Sequence, residues 1–112
     1  MTANVLQEIE TSIQHAKKFV EMGTALERLQ HNQDFKKIIK EGFFEQEAIR
    51  LVHMKANPDK QSVEEQEDII KKIDSIGVLN LYFQSIFNNA ELALKSIGAD
   101  EEAREQILAE SL

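Results

Sequence analysis

The stretch SVEEQEDIIKKIDSIGVLNLYFQSIFNNAELALKSI, Ser62–Ile97, decides the fold. Ser62 followed by Glu65 is the capping-box pattern, in which a hydroxyl takes the free N–H groups of a first helical turn. Beyond it, Ile69/Ile70, Ile73, Ile76, Leu79, Phe83, Ile86/Phe87, Ala90, Ala93/Leu94 and Ile97 recur at steps of three and four. That spacing puts them on one side of an α-helix, and no proline interrupts it. Thirty-five residues from Val63 to Ile97 would extend about 50 Å at 1.5 Å per residue.

Within this helix, Ser75 to Ala90 is a run of sixteen residues without one charge. A helix with one side in water ordinarily carries charge there. Here the side opposite the main stripe holds Val78, Leu81, Tyr82 and Ser85. The run is too short and too polar to cross a bilayer, which takes about 20 apolar residues. It reads as a helix covered on most sides. We take Val78, Leu79, Leu81, Tyr82, Phe83, Ile86 and Phe87 as candidate interface residues, against the alternative that they fill a core within the monomer.

Upstream, Val5, Ile9, Ile13, Ala16, Phe19/Val20, Met22, Leu26 and Leu29 predict a first long helix over about 3–31 that reads through Gly23. Asn32 or Asp34 offers a cap for the next turn. A short helix over 35–41 is expected to end at Gly42 in the left-handed conformation. A second runs from Phe43–Phe44 to about Ala56, where Asn57-Pro58 stops it. Gly98 is read as the end of the long helix and Asp100 as the cap of a short C-terminal one. The expected fold is all-α: two long antiparallel helices, about 3–31 and 63–97, two short helices between them and a short one at the end. It forms a single domain over 1–112, an elongated and oligomeric hairpin or bundle, with Gly23 and Gly77 as possible kinks.

Composition narrows the function. The 112 residues carry a net charge of −7, no Cys and no Trp. Without Cys there is no disulfide, thiolate nucleophile or Cys-based metal site. No basic start with an apolar core marks a signal peptide. Residues 1–61 hold nine basic and nine acidic side chains, and residues 62–112 hold four and eleven, so the acidic excess lies in the second half. No basic stripe is available to displace counterions from phosphates, so direct nucleic-acid binding and anionic membranes are not expected. His15, His31 and His53 lie at no metal-ligand spacing, and H-E-x-x-H, phosphate-loop and nucleophile-elbow patterns are absent. No catalytic, cofactor-binding or metal residue is therefore assigned, and a non-enzyme is expected.

One resemblance adds to this. Leu26-Glu27-Arg28-Leu29, Asn32-Gln33-Asp34-Phe35, Glu41-Gly42-Phe43-Phe44, Glu47-Ala48-Ile49-Arg50-Leu51-Val52, Ala56-Asn57-Pro58-Asp59 and Ile73-Asp74-Ser75-Ile76 together resemble small, largely uncharacterised helical proteins of tailed bacteriophages. The resemblance spans about residues 25–90. Gln33 stands where those proteins carry Pro, which keeps the Asn-x-Asp break and loses the rigid first helical position. It implies a phage protein, located in the host cytoplasm or the virion. Two roles suit it. One is helix-mediated contact with itself or with another phage or host protein, in virion assembly or as a minor virion component. The other is a host-directed inhibitor, an anti-defence protein or a blocker of a host nucleic-acid enzyme, that presents an acidic surface.

Overall fold

A computed structural model of the chain describes residues 2–111, and these are almost entirely helical, with no strand. Helix α1 covers Thr2–Gln30 and passes through Gly23 without a break. Asn32 is extended, and its side-chain oxygen accepts the Phe35 N–H at 3.0 Å, so the expected cap forms. Helix α2, Gln33–Phe35, then runs straight into a π-helix, Lys36–Glu47, and on into α3, Ala48–Ala56.

This continuity corrects the expectation of two short helices parted at Gly42. Gly42 lies inside the π-helix, and no described glycine has a positive φ. The spacing supplies the reason. Phe35, Ile39, Phe43/Phe44 and Ala48 recur every four to five residues. At about 4.4 residues per turn a π-helix keeps such a series on one side, whereas an α-helix would wind it around the axis. All five of these side chains are half-buried. A β-carbon at position 42 would stand 3.1 Å from the Lys37 carbonyl oxygen, so glycine suits the wider turn.

The next turn is built from side-chain amides. Asn57 is extended ahead of Pro58, and its side-chain oxygen accepts the Asp59 N–H at 2.9 Å, opening a 3-10 turn over Pro58–Lys60. Gln61 donates to the carbonyls of Lys55 and Asn57, and Gln66 to those of Lys55 and Lys60. These amides satisfy carbonyls that a helix end leaves without partners. Ser62 accepts the Glu65 N–H at 3.2 Å, the first half of the capping box, while the Glu65 carboxylate turns back to accept from the Ser62 hydroxyl at 2.8 Å.

Helix α4 covers Val63–Glu110. The expected stop at Gly98 and the separate C-terminal helix are both absent. A glycine costs a helix only about 1 kcal/mol, and the inward series continues across it: Ala90 and Ala93 are buried, and Ile97, Asp100, Arg104 and Ile107 are half-buried. Asp100 therefore sits in mid-helix with no free N–H groups to cap, and its Oδ2 is buried without a hydrogen-bond partner.

The chain divides into two compact units, residues 1–26 with 85–112, and residues 27–84. In the first, α1 and α4 run antiparallel: Glu10 meets Arg104 at 3.0 Å, and Gly23 lies against Ala90. Small residues set the distance between these helices. A β-carbon on Gly23 would lie 2.6 Å from that of Ala90. Ile13, Ala16, Leu26, Ile86, Ala90 and Ala93 complete the buried set. In the second unit, Leu51, Ile69 and Ile76 form the core, with Phe43, Phe44, Ala48, Met54 and Ile73 packed around them. Phe83 joins through its ring, 5.9 Å from Phe35 and 6.0 Å from Phe44.

Candidate interaction surface

The seven candidate interface residues separate by direction. Val78, Leu81 and Tyr82 point outward, 64%, 63% and 53% exposed. Leu79, Phe83 and Phe87 are half-buried, and Ile86 is buried. Phe83 and Ile86 face inward because they continue the main stripe of α4: Phe83 packs on the aromatic group of the second unit, and Ile86 belongs to the core of the first. The helical period explains the division. Val78, Leu81 and Tyr82 stand about half a turn away from Ile76, Leu79 and Phe83. The charge-free run thus carries two apolar stripes, one inside the chain and one outside.

The outward stripe has no charged neighbour of its own between Asp74 and Glu91, and Asn80, Gln84, Asn88 and Asn89 along the run are all exposed. Such a surface offers apolar contact and amide hydrogen bonds with no charge to desolvate. Exposed apolar patches rimmed by polar groups commonly mark contact sites on proteins.

Two further features were not foreseen from the sequence. In the first unit, Ser12, His15 and Phe19 of α1 and Asn89, Leu92 and Ser96 of α4 border a shallow groove of about 250 Å³ floored by Ala16 and Ala93. His15 stands edge-on to Phe19, with ring centroids 5.4 Å apart. In the second unit, Ile38, Ile39, Phe43, Leu51 and Ile76 line an apolar cleft of about 440 Å³ rimmed by Glu47, Arg50 and Lys72. Arg50 grips Glu47 through Nε and Nη2. Those hydrogen bonds hold the Glu47 carboxyl below its ordinary pKa and the guanidinium above its own. The available signal for this cleft was the four-residue recurrence of Ile39, Phe43 and Glu47 beside Leu51.

His31 bonds the Glu27 carbonyl at 2.7 Å through Nδ1, and His53 is exposed. Among the described residues no three His, Asp or Glu side chains stand close enough to hold a metal ion, and no helix is long and apolar enough to cross a membrane. Glu10 accepts from Gln14 and, more weakly felt, from Arg104, and its carboxyl is held below its ordinary pKa. Comparison with known proteins finds no matching family model, no matching curated protein and no matching solved structure.

Proposed function

We propose that this is a non-catalytic protein that works by helix packing, through the outward stripe of α4. The observation that carries this reading is the pairing of exposed Val78, Leu81 and Tyr82 with sixteen residues free of charge. A helix whose only task was to close its own core would gain solubility from charge on that side. The resemblance to tailed-phage proteins sets the context: assembly of the virion, or a place in it as a minor component. The partner is a second copy of the chain or another phage or host protein.

Leu81→Glu tests this. It places a charge in the middle of the stripe at a position 63% exposed, so the fold should survive. Circular dichroism is expected to be unchanged, while self-association, or co-purification with particles, is lost at least tenfold. Unchanged association and unchanged particle yield would overturn the reading.

A second reading rests on a different feature. Glu101, Glu102 and Glu105 are exposed near the end of α4, where a host-directed inhibitor would present acid to a basic cleft. Under it, Glu101→Lys with Glu105→Lys abolishes binding to a host enzyme and Leu81→Glu leaves that binding intact.

A further inference from the structure

We propose that the cleft of the second unit is a binding site for a linear carboxylate amphiphile, an alkyl chain with one anionic end. The proposal is independent of the outward stripe of α4, because the cleft is built wholly from residues 27–84. Its floor is apolar: Leu51 is 0% exposed and Ile76 8%. Ile39 and Phe43 of the π-helix are half-buried along one wall, and Ile38 stands at the mouth, 64% exposed. Ser75 is the small residue of the α4 wall and leaves space there. Its hydroxyl turns back to the Lys71 carbonyl at 2.8 Å, so it makes no polar demand on the cleft. The volume of about 440 Å³ is of the size that small-molecule sites enclose, and water finds few hydrogen-bond partners on such walls.

The two ends of the cleft differ. Toward Ile38 and Ile39 no lining residue is charged. Toward α3 the lining is Glu47, Arg50 and Lys72, with a net charge of +1 in a chain that carries −7. Lys72 is near enough for its charge to be felt at Glu47. Both cations can take a further anion. Arg50 directs Nε and Nη2 to Glu47 but Nη1 to the Met54 sulfur. A thioether is a weak acceptor, so a carboxylate displaces it. Asp68 holds Lys72 at 2.8 Å in an ion pair whose side chains are both more than half exposed, and such pairs exchange readily. A carboxylate between Arg50 Nη1 and Lys72 Nζ leaves Glu47 in place beside it. The net +1 suits one negative charge: a dianion would leave one charge unbalanced beside Glu47, and a cation would meet like charge. From Arg50 back to Ile39 is eleven residues, about 15 Å at a helical rise, so the occupant is long and thin and its tail lies along Phe43.

Decanoate is the probe, with decanol and decyltrimethylammonium as uncharged and cationic forms of the same tail. Calorimetric titration is expected to give saturable decanoate binding with a dissociation constant below about 1 mM, and at least tenfold weaker binding of decanol and of the cation. Lys72→Glu changes an exposed position and turns the lining from +1 to −1, so decanoate should weaken at least tenfold and the cation should become the preferred ligand. Ile38→Asp, at the mouth, should also weaken decanoate. Leu92→Asp in the groove of the first unit and Leu81→Glu on the outward stripe should leave it unchanged. Circular dichroism checks that each variant keeps its helices. No saturation by decanoate, decanol bound as tightly as decanoate, or an unaltered preference in Lys72→Glu overturns the site. Loss of binding in Leu92→Asp with retention in Ile38→Asp overturns its location. Because Leu81→Glu is silent here, failure of this site and failure of the outward stripe are read separately.

Discussion

The two units bury their helices by different means. Between α1 and the end of α4 the small residues Ala16, Gly23, Ala90 and Ala93 interleave with Ile13, Leu26 and Ile86, and at Gly23 and Ala90 the backbones approach closely. In residues 27–84 the contact is made by Leu51, Ile69, Ile76 and the phenylalanines around them. One helix, α4, contributes Ala90 and Ala93 beside Ile86 to the first, and Ile69 and Ile76 to the second. The difference teaches that an apolar stripe specifies direction but not distance. Small residues derive stability from close fit and are intolerant of added atoms. Large ones derive it from buried area and are intolerant of lost atoms.

Substitutions test the contrast in both directions. Leu51 is 0% exposed, so Leu51→Ala should cost about 2–5 kcal/mol in denaturant unfolding through lost burial and a cavity. Gly23→Ala should also destabilise, by about 1–3 kcal/mol, although alanine is the better helix former, because its β-carbon would collide with Ala90. Adding Ala90→Gly should return part of that loss. A stabilising Gly23→Ala would refute the close approach. The smallest effect has the opposite sign. Nothing lies within 4 Å of a β-carbon built at Gly98, so Gly98→Ala should stabilise by about 0.5–1 kcal/mol, seen as a higher midpoint. Three changes at helical positions thus have their order and signs fixed by what surrounds each site.

Much of this was legible in the sequence, and the failures share a cause. The all-α fold, the long helices, a cap at Asn32 or Asp34 and a cap at Ser62 were read from local chemistry, and Asn32 and Ser62 each accept the N–H three residues on. Gly42 and Gly98 were misread as stops because glycine permits a helix end without requiring one. Packing of Ile97, Arg104 and Ile107 carried α4 past Gly98. The π-helix was hidden because Phe35, Ile39 and Phe43 fit a four-residue step nearly as well as a longer one. Phe44 and Ala48 separate the two. At the candidate surface the charge-free run was visible, and the helical period already set Phe83 and Ile86 on one stripe and Leu81 on the other, although all three were candidates for the interface. Which stripe is covered within the chain depended on where the other elements pack.

The division of the chain has a consequence for the order of assembly. Residues 27–84 form a continuous unit, whereas the other is built from residues near the two ends. Glu10 finds Arg104 only across most of the polypeptide. Closing so long an intervening loop carries a larger entropic cost and slows the pairing. During synthesis the internal unit is complete once its own residues have left the ribosome, while α1 must wait for the final stretch of α4. For that interval the apolar side of α1 stands open, and it is where a chaperone or a neighbouring nascent chain has its best opportunity to engage.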